Sequence, residues 1–159
     1  MAKLKPIAIT KPKEKSTEQE IIKKIELLGG YVIKNQASAT TGRGKPDLSA
    51  CLNGKYYGIE VKRNNSRVKT TKQQILNLFA ISKAGGYAYW AKSVNFLNKM
   101  FDKQKQNTHD VVLDFDINSE SDLESLNSIL CEPNVDYVEL KYFKEIEDLR
   151  TYIIVTYHD

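Results

Sequence analysis

Apolar residues along the chain switch between two periods, and the switches mark the elements. Ile21, Ile25 and Leu28 recur at helical spacing with Ile22 beside them, which predicts a helix over about 17–28. Gly29-Gly30 supplies its stop. A strand begins at 31–33, and the polar loop 38–45 leads into Pro46. Two strand-like runs follow, 47–52 and 55–62, separated by Asn53-Gly54. That dipeptide is a strong hairpin signal, because a tight hairpin turn needs positive φ at both of its central residues. A two-residue turn pairs Leu52 with Lys55, and an unbroken ladder then sets Asp47 directly across from Glu60, Cβ atoms about 5 Å apart. Leu48, Ala50, Leu52, Tyr57, Ile59 and Val61 fall on one face and form a core surface. Asp47, Ser49, Cys51, Tyr56, Gly58, Glu60 and Lys62 fall on the other.

Beyond a basic stretch at 63–69, Ile75, Leu78, Phe79 and Ser82 predict a second helix over about 72–84, ended by Gly85-Gly86. A strand at 87–91 and a helix at 94–105 follow. The remainder reads as a strand at 110–115, a helix at 121–130 and two strands at 135–142 and 151–157. Residues 1–15 carry Lys3, Lys5, Lys11, Lys13 and Lys15 around Pro6 and Pro12 with no sustained period, and read as a mobile basic arm.

Composition narrows the classes. At 159 residues and 41% hydrophobic content the chain supports one domain with a modest extension. No apolar run approaches the roughly eighteen residues that a membrane span needs, and the N-terminus lacks the apolar segment of a signal peptide. Cys51 and Cys131 make neither a disulfide framework nor a CxxC metal spacing, which points to a reducing, cytoplasmic setting. His109 and His158 stand far apart, against a zinc site or a histidine-dependent triad. Asp114-x-Asp116-x-Asn118 begins like a calcium loop, but Ser119 replaces the turn glycine and Ser125 the bidentate glutamate.

Charge divides the chain. Residues 1–105 hold 21 Lys and Arg against 7 Asp and Glu, a net of +14, while residues 106–159 hold 3 against 13, a net of −10. The division yields three parts: the arm at 1–15, a basic core at 16–105, and an acidic α/β extension at 106–159 expected to pack on the core or on a partner. A basic part of this kind suits nucleic acid.

The chemistry sits in the hairpin. Two carboxylates facing each other across a ladder repel, and a hard divalent cation removes that penalty. Lys62 lies two residues beyond Glu60 on the same strand face, so its ammonium reaches the same spot. Two acids and a lysine around one metal are what phosphodiester hydrolysis requires. Thr17-Glu18-Gln19-Glu20 and Thr71-Lys72-Gln73-Gln74 each fit a capping box, in which the fourth residue closes back on the N-cap amide.

Pro46-Asp47 followed thirteen positions later by Glu60-Val61-Lys62 resembles the core of PD-(D/E)XK nucleases. With Gly42-Arg43-Gly44-Lys45 before it, Asn53-Gly54 within it and Gln74 and Gly85-Gly86 after it, the string is similar to the VRR-NUC branch and to archaeal-type Holliday junction resolvases. The resemblance covers about 17–91. It implies a restriction-endonuclease-like α-β-β-β-α-β core, a mixed central sheet flanked by helices, with the acidic α/β extension added at the C-terminus. It further implies Asp47, Glu60 and Glu20 as metal ligands, Lys62 as the catalytic lysine, and Gln74 as the glutamine of the second helix, with Gln73 the alternative. A role for Glu20 or Gln74 at the metal does not exclude a role in a helix cap.

Arg43, Lys45, Arg63, Arg67, Lys69 and Lys72 surround the motif and would contact DNA phosphates, with salt-sensitive affinity and little base reading. Gly42 and Gly44 would let their loop approach the DNA backbone. The expected activity is a Mg²⁺-dependent DNA endonuclease, Mn²⁺ substituting, selective for branched DNA and acting as a homodimer, with no organic cofactor. The alternative is a non-catalytic nucleic-acid-binding or protein-interaction module on the same scaffold.

Overall fold

The computed structural model describes residues 14–36, 44–63, 69–101, 107–144 and 149–158. Helix α1 (Glu14–Leu27) precedes β1 (Tyr31–Lys34), β2 (Leu48–Leu52) and β3 (Lys55–Val61). Helix α2 (Lys72–Lys83) leads to β4 (Tyr87–Ala91) and α3 (Asn95–Phe101). The chain closes with β5 (Thr108–Asp114), α4 (Glu120–Cys131), β6 (Val135–Lys144) and β7 (Leu149–His158). The first six elements run α-β-β-β-α-β, the order expected of the nuclease core. No described helix is long and apolar enough to cross a membrane.

The hairpin forms in the expected register. Asn53 and Gly54 have φ of 52° and 73°, the turn geometry that follows the right-handed twist of the strands. Leu48 lies opposite Ile59 and Leu52 opposite Lys55 with no bulge between them. Among the described residues seven strands make one sheet, in the order β1-β2-β3-β4-β6-β7-β5. Only β3 and β4 are parallel, joined by the α2 crossover; the other neighbouring pairs are antiparallel. The acidic stretch therefore supplies β5, β6 and β7 to the sheet that carries the hairpin.

Both faces of the sheet are covered. On one, Ile21 and Ile25 of α1 and Phe96 and Leu97 of α3 pack on Leu48, Ala50, Leu52, Tyr57, Ile59 and Val61. On the other, Ile75 and Leu78 of α2 and Leu126 and Leu130 of α4 pack on Ala88, Trp90, Val138, Leu140, Ile153 and Val155. Each fully buried Leu, Ile or Val contributes roughly 1.5–3 kcal/mol relative to exposure, so the two cores hold the helices against the sheet.

Helix α1 starts earlier than the periodicity indicates. Glu14, Lys15 and Ser16 contain no apolar residue to mark a face, yet they precede Thr17 within the helix. Thr17 is buried inside α1 rather than standing at its N-cap, so the expected capping box through Glu20 does not form. The box at Thr71 does form: the Thr71 side chain accepts from Gln74 N, and the Gln74 side chain accepts from Thr71 N.

Candidate active site

Asp47 stands one residue before β2, at a bend just beyond the last paired rung, in which Leu48 lies opposite Ile59. Pro46 has no N–H to extend the ladder. Its carbonyl is taken by Asn35 Nδ2 at 2.8 Å, and Asn35 N donates to the Asp47 carbonyl at 2.9 Å. The Val61 amide is satisfied instead by Asp47 Oδ2, at 2.8 Å. The aspartate side chain is thereby drawn over the end of β3. Asn35 is a site-shaping residue that the sequence reading missed, since nothing local marks an asparagine that closes on a proline eleven positions later.

Glu60 and Lys62 occupy the sheet face covered by α2. They are 3% and 6% exposed, unusual for ionisable groups and a reason to ask what partners them. Glu60 Oε1 accepts from Gln74 Nε2 at 2.6 Å and lies 3.5 Å from Lys62 Nζ. Glu60 Oε2 is buried with no hydrogen-bond partner. Burial, reinforced by the Asp47 carboxylate and opposed by Lys62, pushes the Glu60 carboxyl up to about 7. Lys62 is anchored through its backbone, which donates to the Ala91 carbonyl on β4 at 2.8 Å.

The first-helix carboxylate on the inner side of α1 is Glu18. It lies three residues before Ile21 on the buried stripe, is 9% exposed, and pairs with Lys34 Nζ at 2.7 Å. The Lys34 ammonium is raised above its usual range by its hydrogen bond and charge interaction with Glu18, and Asp47 adds to that effect. Glu20 is exposed on the outer side of the helix, away from this chain of charges. The helical period run backwards from Ile21 and Ile25 was the signal that separates the two.

The basic rim is partly described. Lys45, Arg63, Lys69 and Lys72 are exposed around the motif, and Arg43 and Arg67 lie outside the described residues. Gly42 also lies outside them. Gly44 has φ of +82°, and a Cβ there would collide with the Gln73 backbone, at 2.8 Å from its carbonyl carbon. Its lack of a side chain brings the loop before Asp47 against the start of α2.

Among the described residues no group of three or more His, Cys, Asp and Glu gathers closely enough to hold a metal ion. The pair formed by Asp47 and Glu60 nevertheless fits a divalent cation. One buried carboxylate oxygen lacks a partner, the Asp47 carboxylate lies near enough to help raise the Glu60 carboxyl, and both offer only hard oxygen donors. Such an ion keeps several waters, so two protein carboxylates suffice for it.

The family model described as archaeal Holliday junction resolvase (Hjc) matches residues 10–133. The chain belongs to that family. Hjc proteins are nucleases, enzymes that hydrolyse DNA, and α1 through α4 all fall within the matched span. A solved VRR_NUC domain is 25% identical, covering 58% of this chain and 97% of its own, with a TM-score of 0.46. The Archaeoglobus fulgidus Hjc, a Holliday junction resolvase from an archaeal hyperthermophile, is 20% identical with a TM-score of 0.40. That match covers 48% of this chain and 65% of the A. fulgidus protein, just under two thirds of its length. No curated protein matches the chain.

Proposed function

We propose that the chain is a divalent-metal-dependent deoxyribonuclease that cuts branched DNA of the four-way-junction type, with Mg²⁺ as its working ion and Mn²⁺ able to replace it. One observation carries this reading. Glu60 is buried beside Asp47, with Oε2 unpartnered and Lys62 Nζ 3.5 Å from Oε1. In this reading Asp47 and Glu60 hold the cation, and Glu18 takes the part that the resemblance gave to Glu20. When bound, the ion neutralises charge on the scissile phosphate and makes hydroxide available near neutral pH.

The chain's own residues do the rest. Lys62 places a positive charge where oxygen charge builds during phosphodiester cleavage, and it orients the attacking water. Gln74 holds Oε1 of Glu60, so that Oε2 is the oxygen presented to the site. Lys45, Arg63, Lys69 and Lys72 neutralise backbone phosphates on either side of the cut. Each chain carries one such site, and a homodimer would cleave two strands of a junction.

The test compares four-way junctions, forks and linear duplex of the same sequence, with Mg²⁺, Mn²⁺ or chelator. Cleavage that needs the ion, prefers the junction and is lost in Glu60→Ala and Lys62→Ala supports the reading. Metal-independent binding with no cleavage on every substrate would replace it with a non-catalytic binding module.

A further inference from the structure

We propose that Asn127, on α4 in the acidic part of the chain, is a positioning residue for Glu60, acting through Thr70 and Gln74; the inference rests on Glu60 being part of the nuclease site. Thr70 is buried where three elements meet. Asn127 Oδ1 accepts the Thr70 backbone N–H at 2.8 Å across 57 positions of sequence. Trp90 Nε1, from β4, donates to Thr70 Oγ1 at 3.3 Å. The Thr70 hydroxyl donates to Gln74 Oε1 at 3.3 Å, and Thr71 N donates to the same oxygen at 2.9 Å.

Donor and acceptor chemistry gives this chain of bonds one direction. A backbone N–H only donates, so the Gln74 atom facing Thr71 N is the amide oxygen. The amide nitrogen therefore faces Glu60 Oε1, at 2.6 Å. An indole N–H also only donates, so the Thr70 hydroxyl accepts from Trp90 and turns its own hydrogen to Gln74. Two donors thus lock the Gln74 amide, and the lock depends on where Thr70 sits.

Asn127 decides where Thr70 sits. Residues 69–71 lie in neither helix nor strand, so the Thr70 N–H has no ladder partner and uses the Asn127 side chain instead. Helix α4 is pinned at a second point, where Lys92 Nζ, just past the end of β4, donates to the carbonyl of its C-cap residue Glu132 at 2.8 Å. The acidic part of the chain thereby reaches the reacting carboxylate in three hydrogen-bonded steps without touching substrate.

The experiment uses the full-length protein and three Asn127 variants. Asn127→Leu removes the acceptor at similar volume, Asn127→Asp keeps it, and Asn127→Ala replaces leucine if leucine is not accommodated. Junction cleavage gives kcat and KM, calorimetric titration gives the affinity for Mn²⁺ alone, and thermal melting gives stability. Asn127→Leu is expected to lower kcat and Mn²⁺ affinity by about ten-fold each with KM for DNA unchanged, as outer-sphere partners of a metal site do. Asn127→Asp is expected to restore both. In a Gln74→Ala background Asn127→Leu should lower neither further, although melting still falls.

Wild-type kcat and Mn²⁺ affinity in Asn127→Leu, or a loss that multiplies onto Gln74→Ala, would overturn the positioning role while leaving the nuclease reading intact. A wild-type protein that neither cleaves DNA nor binds Mn²⁺ would overturn both.

Discussion

Gln74 donates to Glu60 Oε1 at 2.6 Å with the same side chain that closes the capping box of α2 onto Thr71. One residue thus begins a helix and orients an acid. The two roles separate by mutation. Thr71→Ala removes the hydroxyl from the cap and costs about 1 kcal/mol of stability, leaving the Thr71 N–H on Gln74 Oε1. Gln74→Ala should cost a similar amount of stability and, in addition, lower the cleavage rate by at least ten-fold. Equal rates for the two variants at matched stability would leave Gln74 as a helix cap alone.

Glu60 makes the metal-free protein sensitive to pH. Its carboxyl sits at about 7 in the fold against 4.5 in the open chain, because burial and Asp47 disfavour its charge. Between those values the folded state keeps a proton that the unfolded chain releases. Stability from this group is fully present below pH 4.5 and is lost as the pH rises through 7, by about 3 kcal/mol in all. In chelator, the melting temperature of wild type should fall across that window, and Glu60→Gln should flatten the fall while abolishing cleavage. A saturating divalent cation should oppose the same fall by binding only the folded site. An unchanged slope in Glu60→Gln would assign the effect to other groups.

Glu18 and Glu20 differ by their side of α1. Glu18→Gln should reduce cleavage by about ten- to a hundred-fold, since it alters the charges around Lys34 and Asp47. Glu20→Gln, on the exposed side, should cleave at the wild-type rate. Rates measured at saturating metal and DNA decide between them, and the reverse ranking would return the role to Glu20.

Salt dependence tests the rim. Binding to an uncleaved junction in chelator should weaken steeply with ionic strength. Arg63→Ala and Lys72→Ala should each lower the slope of log affinity against log salt by roughly one, one phosphate contact apiece. Slopes equal to wild type would remove those residues from the DNA path.

The hairpin was readable because its information is local. Asn53-Gly54 sets the turn, alternation sets the faces, and together they place Leu48 opposite Ile59 and bring Asp47 to the end of β3. What escaped is non-local. The face bearing Glu60 and Lys62 looks polar along the strand, yet its end at Gly58, Glu60 and Lys62 is buried, because α2 arrives from further along the chain. Asn35 and Asn127 have no local mark, since their partners lie eleven and 57 positions away. Glu18 and Glu20 are both acids in one helix, and the resemblance placed the metal role on Glu20; the buried stripe of Ile21 and Ile25 is what sets Glu18 on the inner side and Glu20 on the outer. The charge boundary near residue 105 is not a boundary in the packing. The acidic strands turn Ile153 and Val155 inward, into the same core as Ile75 and Leu78 of the basic part.

The thirteen positions from Asp47 to Glu60 are a property of the hairpin's length rather than of the metal chemistry. Each extra rung of the ladder adds two residues between the acids and leaves them facing one another across the same gap. A relative with longer arms and the same two-residue turn would carry a corresponding pair of acids at a wider odd-numbered interval. A single residue added without a compensating bulge would instead move one acid out of opposition. With a two-residue turn, odd parity rather than the number thirteen is what sets two such acids across from one another.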